Sequence, residues 1–330
     1  MATAIIDTLE QREETFRKNL KDSTGKVFKI DETIKIGEST IYRLWLKDRS
    51  YYYTSKAKKT QICIHFTVGS ITGDIATLTK SGNHVSVHYV IDRCGNIYNL
   101  IPLDAGKNWS HHLGSGCIGD NNVMDKSAIG IELSNYGPLT KHIDGYYNTY
   151  KQLYCTEDRH VEDITYKDYD HYAKMTELQK VALYELVNWL CEKCDIPHNY
   201  KLEGMFENDK CAQEFKGIFT HAQVRKDKYD LPYEQVKFIK ERWQESLLPA
   251  ETESIKETAG EPVKYEDITF SEIRKIEEAQ PDTIEEQHNA IENDEVKTND
   301  VPVNTEKRPE VKCSFFKKLI NFIKGIFAKK

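Results

Sequence analysis

His65 ends an apolar run, Gln61-Ile62-Cys63-Ile64-His65-Phe66-Thr67, and far downstream His221, Lys228 and Asp230 fall close together. Two neutral imidazoles and one carboxylate form a ligand set for a catalytic zinc ion with a fourth position left open. The lysine two residues before the carboxylate adds a cation suited to stabilising the oxyanion that forms when an acyl carbonyl is attacked. These residue types therefore point to metal-assisted hydrolysis of an amide or ester. Spacing alone carries little weight in a chain with eleven histidines. The setting of His65 carries more: in an extended strand Ile62, Ile64 and Phe66 share one face and His65 opposes them. Gly69 lies just beyond, where a glycine opens the following loop.

Five segments in order extend the pattern: IHFTVG (64–69), SVHYVIDRCGNIYNLI (86–101), HHLGSG (111–116), SAIGIELSNYGPL (127–139) and THAQVRKDKYDLP (220–232). Together they resemble the zinc-dependent N-acetylmuramoyl-L-alanine amidases of the type 2, peptidoglycan-recognition-protein-like family, phage endolysins included, over roughly residues 55 to 245. The resemblance implies cleavage of the amide bond between N-acetylmuramic acid and L-alanine in peptidoglycan or muropeptides, with Zn2+ as cofactor and His65, His221 and Asp230 as its ligands. It also implies that Glu132 is the general base and that Lys228 stabilises the tetrahedral intermediate. Glu132 interrupts the apolar run Ile129-Gly130-Ile131-Glu132-Leu133, where partial desolvation favours its protonated form and suits proton shuttling.

His112 matches a position that contacts substrate or the oxyanion, with His111 as the competing assignment because adjacent residues of an extended segment point opposite ways. Val87 precedes His88 where some members carry a tyrosine, which leaves proton shuttling to Glu132. Asp227 is a rival carboxylate to Asp230 but precedes Lys228 instead of following it. Leu231-Pro232-Tyr233 lacks the glycine usual in that loop.

The elements that must hold these residues read as an α/β fold with a mixed central sheet flanked by helices. Residues 1–24 suggest a helix, followed by a strand pair near 27–30 and 40–46, within an N-terminal extension spanning 1–54. The amidase domain is expected over 55–248, with strands at 61–67, 85–91, 97–101 and 128–134, a helix near 72–79 and a hairpin turn at Asp92-Arg93-Cys94-Gly95-Asn96. Residues 140–173, rich in tyrosine and charge without clear periodicity, read as an inserted loop. Thr176-Glu177-Leu178-Gln179 spells a capping box opening a helix through about Cys194, and a last helix is expected over 233–247.

Beyond 248 the composition shifts. Residues 251–310 hold eighteen acidic and seven basic residues and four prolines, the make-up of an acidic disordered linker placed at 249–311. Residues 312–330 place Phe315, Phe316, Leu319, Ile320, Phe322, Ile323, Ile326 and Phe327 on one helical face and lysines on the other. This cationic amphipathic helix is too short and too charged to span a bilayer, so membrane-surface contact is the expectation.

A net charge of −7 argues against a general nucleic-acid binder. Eight cysteines without a regular framework, and an N-terminus without a basic region and apolar core, suggest free thiols and a cytoplasmic protein without a signal peptide that reaches the wall after release. A non-catalytic peptidoglycan-binding protein and a cytoplasmic amidase recycling anhydro-muropeptides remain the alternative readings.

Overall fold

The computed structural model describes residues 3–103 and 107–248. The expected acidic linker and cationic helix lie outside the described residues. The chain opens with α1 (Ile6–Asn19), which buries Leu9, Glu13 and Phe16 and ends short of residue 24, where Leu20 enters the left-handed region at φ 47°. A hairpin follows, β1 (Lys29–Ile36) and β2 (Ser39–Trp45), then β3 (Tyr53–Lys56), β4 (Gln61–Phe66), α2 (Ile71–Leu78), β5 (Tyr89–Ile91), β6 (Ile97–Asn99) and β7 (Lys107–Trp109). Next come α3 (Asn121–Ser127) and β8 (Ala128–Leu133), then β9 (Pro138–His142), β10 (Gly145–Asn148), β11 (Leu153–Cys155), β12 (Val161–Tyr166) and β13 (Tyr169–Ala173). The described chain closes with α4 (Glu177–Cys194), β14 (Tyr200–Lys201), α5 (Asp209–Glu214), β15 (Gly217–Thr220) and α6 (Tyr233–Ser246).

Eight strands form one mixed sheet in the order β1-β2-β6-β5-β8-β4-β15-β14. Its centre is parallel: β4 pairs with β8 from Gln61↔Ala128 to Phe66↔Leu133, and with β15 from Gly217↔Gln61 to Thr220↔Ile64. Parallel strands covered on both faces need apolar side chains on both, and the sequences QICIHF, AIGIEL and GIFT supply them. The consequence for function lies in the register. His65 stands opposite Glu132 near the carboxyl ends of β4 and β8, and His221 follows directly on β15, so all three arrive at the same edge of the sheet.

The N-terminal extension contributes to this sheet, because β2 pairs in parallel with β6 from Ile41↔Ile97 to Arg43↔Asn99. Its hairpin turn is gripped from α4, where the two carboxylate oxygens of Glu185 accept the N–H groups of Glu38 and Ser39, each at 2.8 Å. The strand expected over 85–91 starts only at Tyr89. The ring of His88 explains the late start: its Nδ1 accepts the Gly130 N–H at 3.1 Å, using a donor that a ladder carbonyl would otherwise take.

Helix α4 covers one face with Ala182, Leu183, Leu186, Val187 and Leu190, all fully buried, which join Ile62, Ile64, Ile129 and Ile131 in one core. Burial of each of its leucines is worth about 1.5–3 kcal/mol as an upper figure. The capping box that opens it is only half formed. Thr176 Oγ1 accepts the Gln179 N–H at 3.1 Å, while the Gln179 side chain turns inward and donates to the carbonyls of Ile91 and Ser134. A buried amide with two carbonyls in reach gains more there than at an exposed helix end.

Residues 140–173, read from the sequence as a loop, instead belong to a second, five-stranded antiparallel sheet that begins at Pro138, in the order β11-β10-β9-β13-β12. Its tyrosines are core residues in part: Tyr146, Tyr154 and Tyr172 are each no more than 2% exposed. Strands of three to six residues are too short to display a period in the sequence, which is why charge and tyrosine content dominated the reading.

Candidate active site

His65 sits on the most constrained strand of the fold, flanked by β8 and β15 and 1% exposed. As alternation requires, Ile62, Ile64 and Phe66 enter the core packed against α4, while Cys63 and His65 face the other way. His221 lies on a short 3-10 turn (His221–Gln223) fixed by a reciprocal capping box between Thr220 and Gln223. Asp230 comes from the loop beyond, whose backbone returns to that turn through the Ala222 N–H donating to the Asp230 carbonyl at 2.9 Å.

Three donor atoms converge. His65 Nδ1 and His221 Nδ1 are 2.8 Å apart, and Asp230 Oδ2 lies 3.3 Å from the first and 3.2 Å from the second. Tetrahedral zinc with bonds of about 2.0–2.2 Å separates its ligand atoms by roughly 3.3–3.5 Å, so two edges of this triangle fit and the third is modestly short. The tautomers fit as well. His221 Nε2 donates to the Leu113 carbonyl at 2.9 Å, and His65 Nε2 lies 3.1 Å from His112 Nδ1. Each ring thus has a partner at Nε2 that leaves the Nδ1 lone pair for a metal, the usual arrangement around ligating histidines.

The local charges agree with metal ligation. Burial, reinforced by His221, pushes the His65 imidazole down to about 4, which keeps it neutral and a ligand at neutral pH. Burial on its own would raise the Asp230 carboxyl, but the two histidines outweigh it and hold that group well below the usual carboxylate range. A second group, Cys63 with His65 and His112, also has converging donor atoms. Burial pushes the Cys63 thiol well up, so it stays protonated and ligates poorly.

Asp227, the rival carboxylate, is engaged elsewhere. Its two oxygens accept Arg225 Nε at 2.9 Å and Arg225 Nη2 at 2.5 Å, and it is exposed.

Glu132 is half-buried, and its Oε2 is enclosed without a hydrogen-bond partner among the described residues. Burial pushes its carboxyl well above the usual range, Asp230 and Asp74 push the same way, and Lys228 opposes them. The Lys228 charge acts on both Glu132 and His65, opposing the rise in the first and adding to the fall in the second. His112 is buried beside His65, and its Nε2 has no hydrogen-bond partner among the described residues. Its side chain is 1% exposed and packs edge-on against His65, with ring centroids 5.2 Å apart. His111 donates through Nδ1 to Asp125 at 2.8 Å.

Several supporting groups escaped the sequence reading. Asp125 is fully buried and accepts the backbone N–H groups of His112 and Leu113, so it shapes the segment that meets the Nε2 atoms of His65 and His221. Nothing in its sequence setting marked it. Gly130 did carry a signal, since an isolated glycine in a strand points to close approach. A Cβ there would lie 3.0 Å from His112 Cγ and Nδ1.

The profile of the N-acetylmuramoyl-L-alanine amidase family matches residues 55–232. No curated protein sequence matches the chain. Among solved structures, the amidase LysC from Clostridium intestinale URNW is 15% identical, covering 62% of this chain and 97% of its own, with a TM-score of 0.34. The amidase AmiD from E. coli, solved with anhydro-N-acetylmuramic acid-L-Ala-D-gamma-Glu-L-Lys, is 19% identical, covering 63% of this chain and 65% of its own, with a TM-score of 0.34. Drosophila peptidoglycan recognition protein SA is 11% identical, covering 58% of this chain and 82% of its own, with a TM-score of 0.29. With more than half its length matched to the family and a mixed sheet flanked by helices beneath the match, the chain belongs to the N-acetylmuramoyl-L-alanine amidases and is an enzyme of that class.

Proposed function

We propose that the protein hydrolyses the bond between N-acetylmuramic acid and L-alanine in peptidoglycan, using zinc held by His65 Nδ1, His221 Nδ1 and Asp230 Oδ2. The observation that carries the proposal is the convergence of those three atoms within 3.3 Å of one another, with Glu132 opposite His65 on the neighbouring strand. Zinc bound there supplies Lewis acidity that polarises the amide carbonyl and acidifies water. Glu132 takes a proton from the attacking water on its carboxylate and passes it to the departing amine of L-alanine as the C–N bond breaks. The Lys228 ammonium stabilises the oxyanion that develops on the carbonyl oxygen.

The test is digestion of purified peptidoglycan by the zinc-loaded full-length protein, with products read by mass spectrometry. New L-alanine amino termini that disappear on chelation are the expected result; no release from either sacculi or soluble muropeptides overturns the proposal. Release from intact sacculi identifies a wall-lysing enzyme, whereas release from soluble anhydro-muropeptides alone identifies a recycling one.

We assign His112 the part of holding the His65 ring through its Nδ1 rather than touching substrate. Replacing it with phenylalanine fills the same space but removes the acceptor, so zinc affinity is expected to fall about 10–100-fold with KM little changed. A KM rise at unchanged zinc affinity would instead mark His112 as a substrate contact.

For residues 312–330, the six lysines are the basis for proposing attraction to anionic lipid, at about 1 kcal/mol each near the surface. Removal of this segment is expected to abolish sedimentation with phosphatidylglycerol vesicles and leave hydrolysis of soluble substrate intact. Equal sedimentation of the truncated protein would refute the lipid role.

A further inference from the structure

The tyrosine-rich sheet touches the active-site loop through side chains at a hairpin tip. The tip of its β12–β13 hairpin, Tyr166-Lys167-Asp168-Tyr169, meets the segment Lys226–Tyr229 that leads into Asp230. Lys167 Nζ donates to the Lys226 carbonyl at 3.0 Å and also to the Lys228 carbonyl. The same ammonium lies 5.4 Å from the ring centroids of both Tyr166 and Tyr229, a separation at which cation–π attraction contributes. Tyr229 donates its hydroxyl to Asp168 at 3.1 Å and meets the Tyr169 ring edge-on at 5.4 Å. Each residue of the tip therefore takes part in the contact.

Both ends of this contact are anchored. At its base the hairpin is tied to α6, where Gln235 Nε2 donates to Glu162 at 2.9 Å and to the Ala173 carbonyl at 3.1 Å. The Ala173 N–H also donates to the Gly137 carbonyl at 2.8 Å. The loop, by contrast, has few backbone bonds of its own, chiefly Lys228 N–H to the Arg225 carbonyl at 3.3 Å and Ala222 N–H to the Asp230 carbonyl at 2.9 Å. Lys167 itself occupies the left-handed region at φ 55°, a conformation that disfavours a side-chain-bearing residue. The tip thus keeps an unfavourable backbone at the position whose side chain reaches the loop.

We propose that the inserted sheet is a strut for the catalytic loop and that Lys167 is its positioning residue, fixing the carbonyls of Lys226 and Lys228 and so aiming the Lys228 ammonium and the Asp230 carboxylate. The proposal deepens the zinc-amidase reading and rests on it for the identity of the aimed groups. Burial disfavours the Lys167 ammonium, and the carboxylates of Asp230 and Asp227 on the loop and Asp168 on the tip oppose that effect.

Lys167→Met keeps the aliphatic stem and removes the donor and the charge. In the full-length protein it is expected to lower kcat roughly tenfold with KM nearly unchanged, and to speed loss of zinc to a chelator by about the same factor. Amide hydrogen exchange across 225–230 is expected to rise in the variant while exchange in β4 and β8 stays at the wild-type rate. Lys167→Arg, which restores donor and charge, is expected to recover most of kcat. Wild-type exchange in 225–230 of the Met variant overturns the strut, as does equal acceleration throughout the sheet or failure of Arg to recover what Met loses. Wild-type protein that binds no zinc would defeat the zinc reading instead, and the exchange measurement still decides the strut because it needs no metal.

Discussion

Asp230→Ala is expected to cut amidase activity by ~10^3-fold or more and to abolish stoichiometric zinc binding, while Asp227→Asn retains both. Losing a ligand forfeits several kcal/mol of charge stabilisation at the reacting carbonyl, and each 1.36 kcal/mol is about tenfold in rate. The contrast between the two aspartates follows from their partners: Asp230 Oδ2 faces two imidazole Nδ1 atoms, whereas Asp227 is forked by the Arg225 guanidinium. His65→Ala is expected to match Asp230→Ala.

Thermal stability gives a second readout. Free zinc at a hundred times its Kd stabilises the folded state by about 2.7 kcal/mol, and in a domain of this size each kcal/mol moves Tm by about 2–4 °C. Wild-type protein is therefore expected to gain roughly 5–10 °C on zinc addition, and the Asp230 variant little. Zinc retained by Asp230→Ala but lost from Asp227→Asn would reverse the ligand assignment.

How much of this was legible in the sequence depends on the range over which each feature is determined. The central strands were readable because burial on both faces demands continuous apolar runs, and an ionisable residue inside such a run, His65 or Glu132, stands out against them. Their mutual register was not readable, since pairing of β4 with β8 and β15 joins residues far apart in the chain. The Arg225 guanidinium that forks Asp227, and so favours Asp230 as the ligand, is a partner that spacing does not reveal.

The same limit hid the partners of His112 and Lys167. An imidazole beside a glycine-rich segment reads equally as a cleft residue or a buried support, and its close approach to Gly130 and His65 emerges only in the fold. The tyrosine-rich segment failed differently: its strands are short, and its hydrophobic payload is carried by residues that also occur on surfaces.

Glu132→Gln is expected to lower kcat about 10^2–10^4-fold with zinc content unchanged, the range for losing a positioned general base. Glutamine keeps the shape and the hydrogen-bonding reach but cannot accept the proton of the attacking water. Two consequences of the raised carboxyl distinguish this from simple damage.

The first is kinetic. Glu132 acts only when ionised, so wild-type kcat rises with pH as the carboxyl loses its proton, and that limb is expected to vanish from the residual activity of the variant. The second concerns stability, and its sign is set by the direction of the shift. A carboxyl held above its ordinary value of 4.5 in the folded state contributes stability that is present below pH 4.5 and lost as pH rises through the folded value. In chelated protein the melting temperature of the wild type is therefore expected to fall relative to that of the glutamine variant as pH rises from 4.5 to 8, with the variant melting higher at the upper end. Such a gain at the expense of activity is typical of strained catalytic groups. A variant with wild-type kcat would place the base elsewhere, and one that melts lower than wild type at pH 8 would show that the Glu132 carboxylate is stabilised rather than stressed in its pocket.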